Sequence, residues 1–287
     1  MKKIISLIIV FAMMFTATTG AFASTGSADN HALDQEVKQR GYEKLNISSK
    51  EETLIWEDLE NGDARFTLMS GEKKISEAYV NRYEQKVIYT DYRSDTPVLT
   101  EQKYSSIQKM VNRSLTAKGY TNVGTIKFNL YSQGYIMSSP NINFAYSTNV
   151  NLNSTFDLNG QYRDMAEFAG AVSVLLGISA QIGVLVAKKT LALLGIAGTG
   201  SFFIPKHEVE AKETKVTWKV TPQNGTTSKY FSGSKYVFDH NGKGTQTEYE
   251  GDYYTAQSYS NHDSRLAYRG LHLLYSGGYD NAEIVSW

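Results

Sequence analysis

Five histidines, His31, His207, His240, His262 and His272, are the most versatile chemical groups in the chain. No two stand four apart, so the helical His pair of a zinc protease is missing, and His207-Glu208 has no second histidine to complete it. Asp239-His240 and His262-Asp263 could meet across a sheet, but both read better as solvated turn residues. Cysteine is absent, which removes disulfides, thiolate metal sites and a cysteine nucleophile. Ser232, Lys235 and Tyr259-Ser260-Asn261 supply residue types used in serine acyl transfer. Ser232, however, lies in a strand-like run, and Lys243-Gly244-Thr245 falls in the wrong order. Glu57-Asp58 and the group Glu248, Glu250 and Asp252 could do acid/base work, although solvated sheet edges explain them more simply. Neither a nucleophile elbow nor a phosphate-cradling glycine loop is present. The expectation is a protein that is not an enzyme and uses no metal or other cofactor.

The segment that departs from background is apolar instead. Phe168 to Ala187 is a run of 20 residues without a charge, followed by Lys188-Lys189 and then 16 more uncharged residues from Thr190 to Pro205. As helices these arms would be about 30 Å and 24 Å long, the first matching the hydrocarbon thickness of a bilayer. Half of the first arm is Gly, Ala, Ser or Gln, so its hydrophobicity is marginal for insertion. The small residues are ordered: Ala166, Gly170, Ser173, Gly177 and Ala180 recur at spacings of four and three. That is the pattern of a smooth stripe allowing close helix contact, with Gly183 and Gly195 as further contact candidates. The sequence predicts a helical hairpin with Lys188-Lys189 at its polar tip. A buried helix pair in a soluble domain accounts for the same residues.

Around this centre, the alternation predicts strands over Thr53 to Leu59, Ala64 to Met69, Lys86 to Tyr92, Thr125 to Tyr131 and Asn143 to Leu158. Asn61-Gly62, Asn224-Gly225 and Asn241-Gly242 mark hairpin turns, and Val216, Trp218 and Val220 alternate with Lys215, Thr217 and Lys219. Helices are predicted from His31 to about Leu45 and from Thr100 to Lys118, the second on the spacing of Tyr104, Ile107, Val111 and Leu115. The fold class expected is α+β, with a central apolar Gly/Ala-rich helical segment flanked by antiparallel β-strands and hairpins. The divisions are 1–23, 24–160, 161–205 and 206–287. Nine of the 20 tyrosines follow His207, offering ring faces and polar tips to a sugar or a partner.

Lys2 and Lys3, the apolar run from Ile4 to Phe15 and the small residues around Ala21-Phe22-Ala23 read as a secretory signal peptide cleaved after Ala23. The whole chain balances 29 basic against 29 acidic residues, which argues against nucleic acid as a partner. Export to the extracellular medium is the expected localisation.

The terminus Ala21-Phe22-Ala23, the cysteine-free remainder, the Met165 to Pro205 Gly/Ala/Leu tract and the Tyr/Gly-rich carboxyl third together resemble the large secreted geobacillin-type bacteriocins, which are high-mass and contain no lanthionine. The resemblance lies in layout and covers most of the chain. It implies an antibacterial protein acting on the envelope or membrane of related bacteria, with no cofactor and no catalytic residues. The competing expectation is a soluble extracellular binding module for cell-wall glycan or a protein partner, with tyrosines carrying recognition.

Overall fold

A computed structural model of the protein describes residues 36–47, 50–104, 109–110, 119–197, 200–255 and 263–287. The molecule is mostly β, with 55% strand against 17% helix, in large antiparallel sheets forming a half-barrel. The expectation of an α+β fold organised around a central helical segment is therefore overturned. The helices are packed onto the sheets, and the sheets dominate because more of the chain is strand than its charge pattern suggested.

The first sheet is a meander of β1 (Val37–Ile47), β2 (Lys50–Leu59), β3 (Ala64–Ser70), β4 (Lys73–Asn81), β5 (Lys86–Asp91) and β6 (Val98–Lys103). Period-two burial builds it: Ser76, Ala78 and Val80 of β4 point inward while their neighbours are half-exposed. Gly62, at φ +86°, makes the turn between β2 and β3. Two expected helices are corrected here. Val37 to Leu45 is strand because its edge position faces solvent, which suits charged side chains, and because Gly41 lies under the Trp56 ring, where an added Cβ would come within 2.3 Å. Residues 100–103 belong to edge strand β6, and Tyr104 beyond it is buried. The remainder of that expected helix, apart from β7 (Lys109–Met110), lies outside the described residues, as do the signal-peptide assignment and Ala23.

The second sheet contains β8 (Thr121–Ser132), β9 (Tyr135–Ser138), β10 (Asn141–Asp157), β13 (Glu208–Pro222), β14 (Lys229–Asp239), β15 (Thr245–Gly251) and β16 (Asn281–Ser286). Its order is β15-β14-β13-β10-β8-β16, with β7 paired to β10 and β9 to β8. A separate pair joins β11 (Gly160–Tyr162) to β12 (Phe202–Ile204). Three helices are described: α1 (Met165–Leu176), α2 (Ala180–Leu194) and α3 (Ser264–Leu274). The last lies among the strands that follow His207. Leu266, Ala267, Gly270 and Leu271 of α3 share one buried helical face.

The second sheet serves two cores on opposite faces. Near one end Val209 and Ala211 of β13 and Tyr236 and Phe238 of β14 join the core around α1 and α2. Toward the other end Val216, Trp218, Val220 and Phe231 join the core under α3. The β13–β14 register is unbroken from Glu210↔Asp239 to Val220↔Lys229, so the switch from odd to even buried positions along β13 means a switch of face. In β10 the same switch is made by a bulge at Asn151, where Val150 pairs Thr214 but Leu152 pairs Glu213. Between the two cores, Lys212 to Lys215 are exposed or half-buried.

Candidate functional site

The apolar segment begins at a buried polar cluster. Asp164 caps α1, its Oδ1 accepting from the backbone N–H groups of Ala166 at 2.9 Å and Glu167 at 3.1 Å. Its Oδ2 accepts from the Tyr89 hydroxyl and from Arg93 at 3.3 Å. Glu167, also buried, accepts from the Arg163 backbone N–H at 2.8 Å and the Tyr104 hydroxyl at 3.2 Å. Both carboxyl groups sit at the positive end of the α1 dipole. Burial raises the Glu167 pKa and, more strongly, pushes the phenols of Tyr89, Tyr104 and Tyr162 up, which keeps those three tyrosines neutral.

Every residue of α1 is buried, and from Phe168 onward none carries a charge. It packs against β3, β4 and β5, while α2 reaches from β2 to β15. The helix stops at Gly177, whose φ of +61° is the left-handed cap, with the Ile178 N–H returning to the Ser173 carbonyl at 3.2 Å. The two helices are bent by 112° at this break. Ser179 caps α2, and Asp58 of β2 accepts from the Ala180 N–H at 2.9 Å and from Arg82 at 3.1 Å. Arg82 also donates to Ser173 Oγ at 3.1 Å, so the corner is fastened to the first sheet by charge-assisted hydrogen bonds.

This geometry reassigns most of the expected contact residues. Ser173 and Gly183 do meet: a Cβ on Gly183 would lie 3.0 Å from Ser173 Cβ, so this is the close helix contact. Gly170 faces the sheet instead, where an added Cβ would be 3.2 Å from Val80 and 3.5 Å from Ala78 Cβ. Gly177 and Gly195, the latter at φ +66°, are helix C-caps with open space around them. Ala180 is a buried first-turn residue of α2. The expected lysine tip is also corrected. Lys188 and Lys189 lie within α2, because the chain turns at the left-handed Gly177 rather than at the charges. Lys188 pairs with Glu43 of β1, and Lys189 is exposed. With the break placed there, α1 is about 18 Å long and α2 about 22 Å. Among the described residues no single helix is long and apolar enough to cross a membrane; only the bent pair taken together meets that length and composition.

A second feature escaped the reading of the sequence. His240 is fully buried rather than a solvated turn residue, and its partner is His207, with His207 Nε2 and His240 Nδ1 3.1 Å apart and the rings stacked. Burial lowers both pKa values, helped at His207 by Lys243 and at His240 by its neighbour His207. His240 Nε2 has no hydrogen-bond partner. Alternation could have found it: His240 continues the even-numbered buried positions Tyr236 and Phe238. Among the described residues no group of three or more His, Asp or Glu side chains is placed to hold a metal.

The tyrosines of β14 share a face but differ along its length: Tyr236 is buried in the core around α1 and α2, whereas Tyr230 is 55% exposed beyond that core, beside Tyr120, which is 45% exposed. Comparison of the chain with known protein families, curated proteins and solved structures finds no match.

Proposed function

We propose that this is a secreted antibacterial protein of bacteriocin type, acting non-enzymatically on the envelope of related bacteria through the α1–α2 pair. The observation that carries the reading is α1 itself: all twelve residues are buried, none is charged beyond Glu167, and much of its polar fastening lies at its two ends. A target bilayer offers such an element the apolar surroundings it has in the core, so transfer from one to the other loses little hydrophobic free energy. The half-exposed stripe of α2, with Gln181, Leu185, Lys188 and Lys189, would then lie toward the lipid headgroups. The pair therefore enters as a bent wedge rather than as two spans. Opening requires release of the Asp58–Arg82–Ser173 corner and of the Lys188–Glu43 pair.

A reversible lock tests this. A Cβ at position 170 lies 3.5 Å from Ala78 Cβ, within reach of a disulfide, and the chain has no other cysteine. In Ala78→Cys/Gly170→Cys, the oxidised protein is expected neither to release dye from anionic liposomes nor to inhibit related bacteria, and reductant should restore both effects. Equal activity in the oxidised form, or no activity from the unmodified protein, overturns the reading.

A further inference from the structure

We infer that the open face of the second sheet, opposite the α3 core, is a docking surface for a polysaccharide of the bacterial cell wall. Pairing places two rows of side chains there. Tyr230, Lys219, Ala145 and Asn122 follow one another across β14, β13, β10 and β8, and Thr221, Asn143 and Thr125 form the next row. Antiparallel partners share a face, so these residues stand opposite Trp218, Phe231 and Phe144, which are buried under α3. The rows span roughly 15 Å.

Three properties point to a sugar polymer rather than to lipid or to a protein's apolar anchor. The first is an aromatic pair: the Tyr120 and Tyr230 rings are 6.2 Å apart, with the Lys219 ammonium 5.8 Å from the Tyr120 ring centre. Tyrosine faces of this kind stack on the C–H side of a sugar ring and keep a hydroxyl for hydrogen bonding. The second is the depression between them, lined by Tyr120, Asn122, Asn143, Ala145, Lys219 and Thr221. Ala145 is its smallest side chain. The third is how the polar groups are held. Thr125 Oγ1 donates to Asn143 Oδ1 at 2.6 Å, which directs that amide's N–H groups to another acceptor, and Thr221 is 2.8 Å from Ser228. Side chains fixed before binding lose less entropy when a ligand arrives. Aliphatic side chains large enough to enter a bilayer are missing from the two rows. The site rests on this geometry, while the choice of a wall polymer rests on the envelope reading above.

Sedimentation with purified, lipid-free cell-wall sacculi from a related Gram-positive bacterium tests the inference. The full-length protein is expected to co-sediment. Tyr120→Ala/Tyr230→Ala should weaken binding at least tenfold, whereas Tyr120→Phe/Tyr230→Phe, which keeps both rings, should stay within about threefold of the parent. Ala145→Gln, which fills the depression on a solvent-facing position, should also weaken binding and guards against misfolding of the double alanine variant. No co-sedimentation of the parent protein, or undiminished binding by the alanine and glutamine variants, overturns the assignment. A loss confined to liposomes would overturn it in favour of lipid. Dye release from wall-free liposomes is expected to be unchanged in all three variants. Failure of the parent to release dye would count against the helix-pair reading and leave the sedimentation result standing.

Discussion

The two cores of the second sheet share strands yet are covered in opposite ways. At one end the sheet joins a core with two helices, one of which has no solvent face at all. At the other end it carries α3, an amphipathic helix with four buried residues and the rest at least partly wet. A helix like α3 is at home only at a surface, whereas α1 has no surface position open to it in water. Its options are a protein interior or another apolar medium. The same comparison explains the open face that carries Tyr120 and Tyr230: where the buried side of the sheet changes, the side left behind is exposed.

Substitutions can break this contrast, beginning with the largest effects. Trp218→Ala in the α3 core and Phe168→Ala in the helix-pair core each remove a fully buried ring, and each is expected to cost about 3–5 kcal/mol in urea unfolding. Only the second should alter liposome permeabilisation; a matching change in both would mean that the two cores act as one. Asp164→Ala removes a cap, takes the carboxylate from the Tyr89 hydroxyl and leaves Arg93 with Asp91 alone, for an expected loss of about 2–3 kcal/mol by the same assay.

The two hairpin glycines separate contact from backbone strain. Gly183→Leu would press into Ser173 and should cost about 1–3 kcal/mol, while Gly177→Ala meets no neighbour and should cost about 1 kcal/mol through its left-handed backbone alone. Similar losses for both would remove the distinction. The mildest handle is pH. His207 and His240 are held below the ordinary value of 6.5, so the unfolded chain takes up protons before the folded one. Their contribution is complete above about pH 6.5 and is lost as pH falls through that value toward the lowered folded-state values. The groups around them, Lys243 and Asp157 at His207 and Lys189, Gln246 and Asp239 at His240, do not reverse that direction. The urea midpoint should fall from pH 8 to pH 5.5, and more steeply than in His207→Phe/His240→Phe. Equal slopes would exclude the pair as the cause.

Much of the strand framework was legible in local alternation, because Thr53 to Leu59, Ala64 to Met69 and Val216 to Val220 face a core on one side only. The location of the helical segment was legible in its unbroken apolarity. Its geometry was not: the bend at Gly177 depends on a left-handed cap and on Asp58 and Arg82, which are distant in sequence. Lys188-Lys189 drew attention as charges, yet charges are easily carried on the wet stripe of a helix. The edge strand at Val37 was hidden because an edge tolerates the polar composition of an exposed helix. The paired histidines were missed because each is unremarkable without its partner, 33 residues away.

Between the two cores Lys212 to Lys215 of β13 are exposed or half-buried, while the ladder of backbone hydrogen bonds to β14 has no break in register. Because that register is continuous, a one-residue slip of β14 would turn Phe231 and Phe238 out of both cores at once.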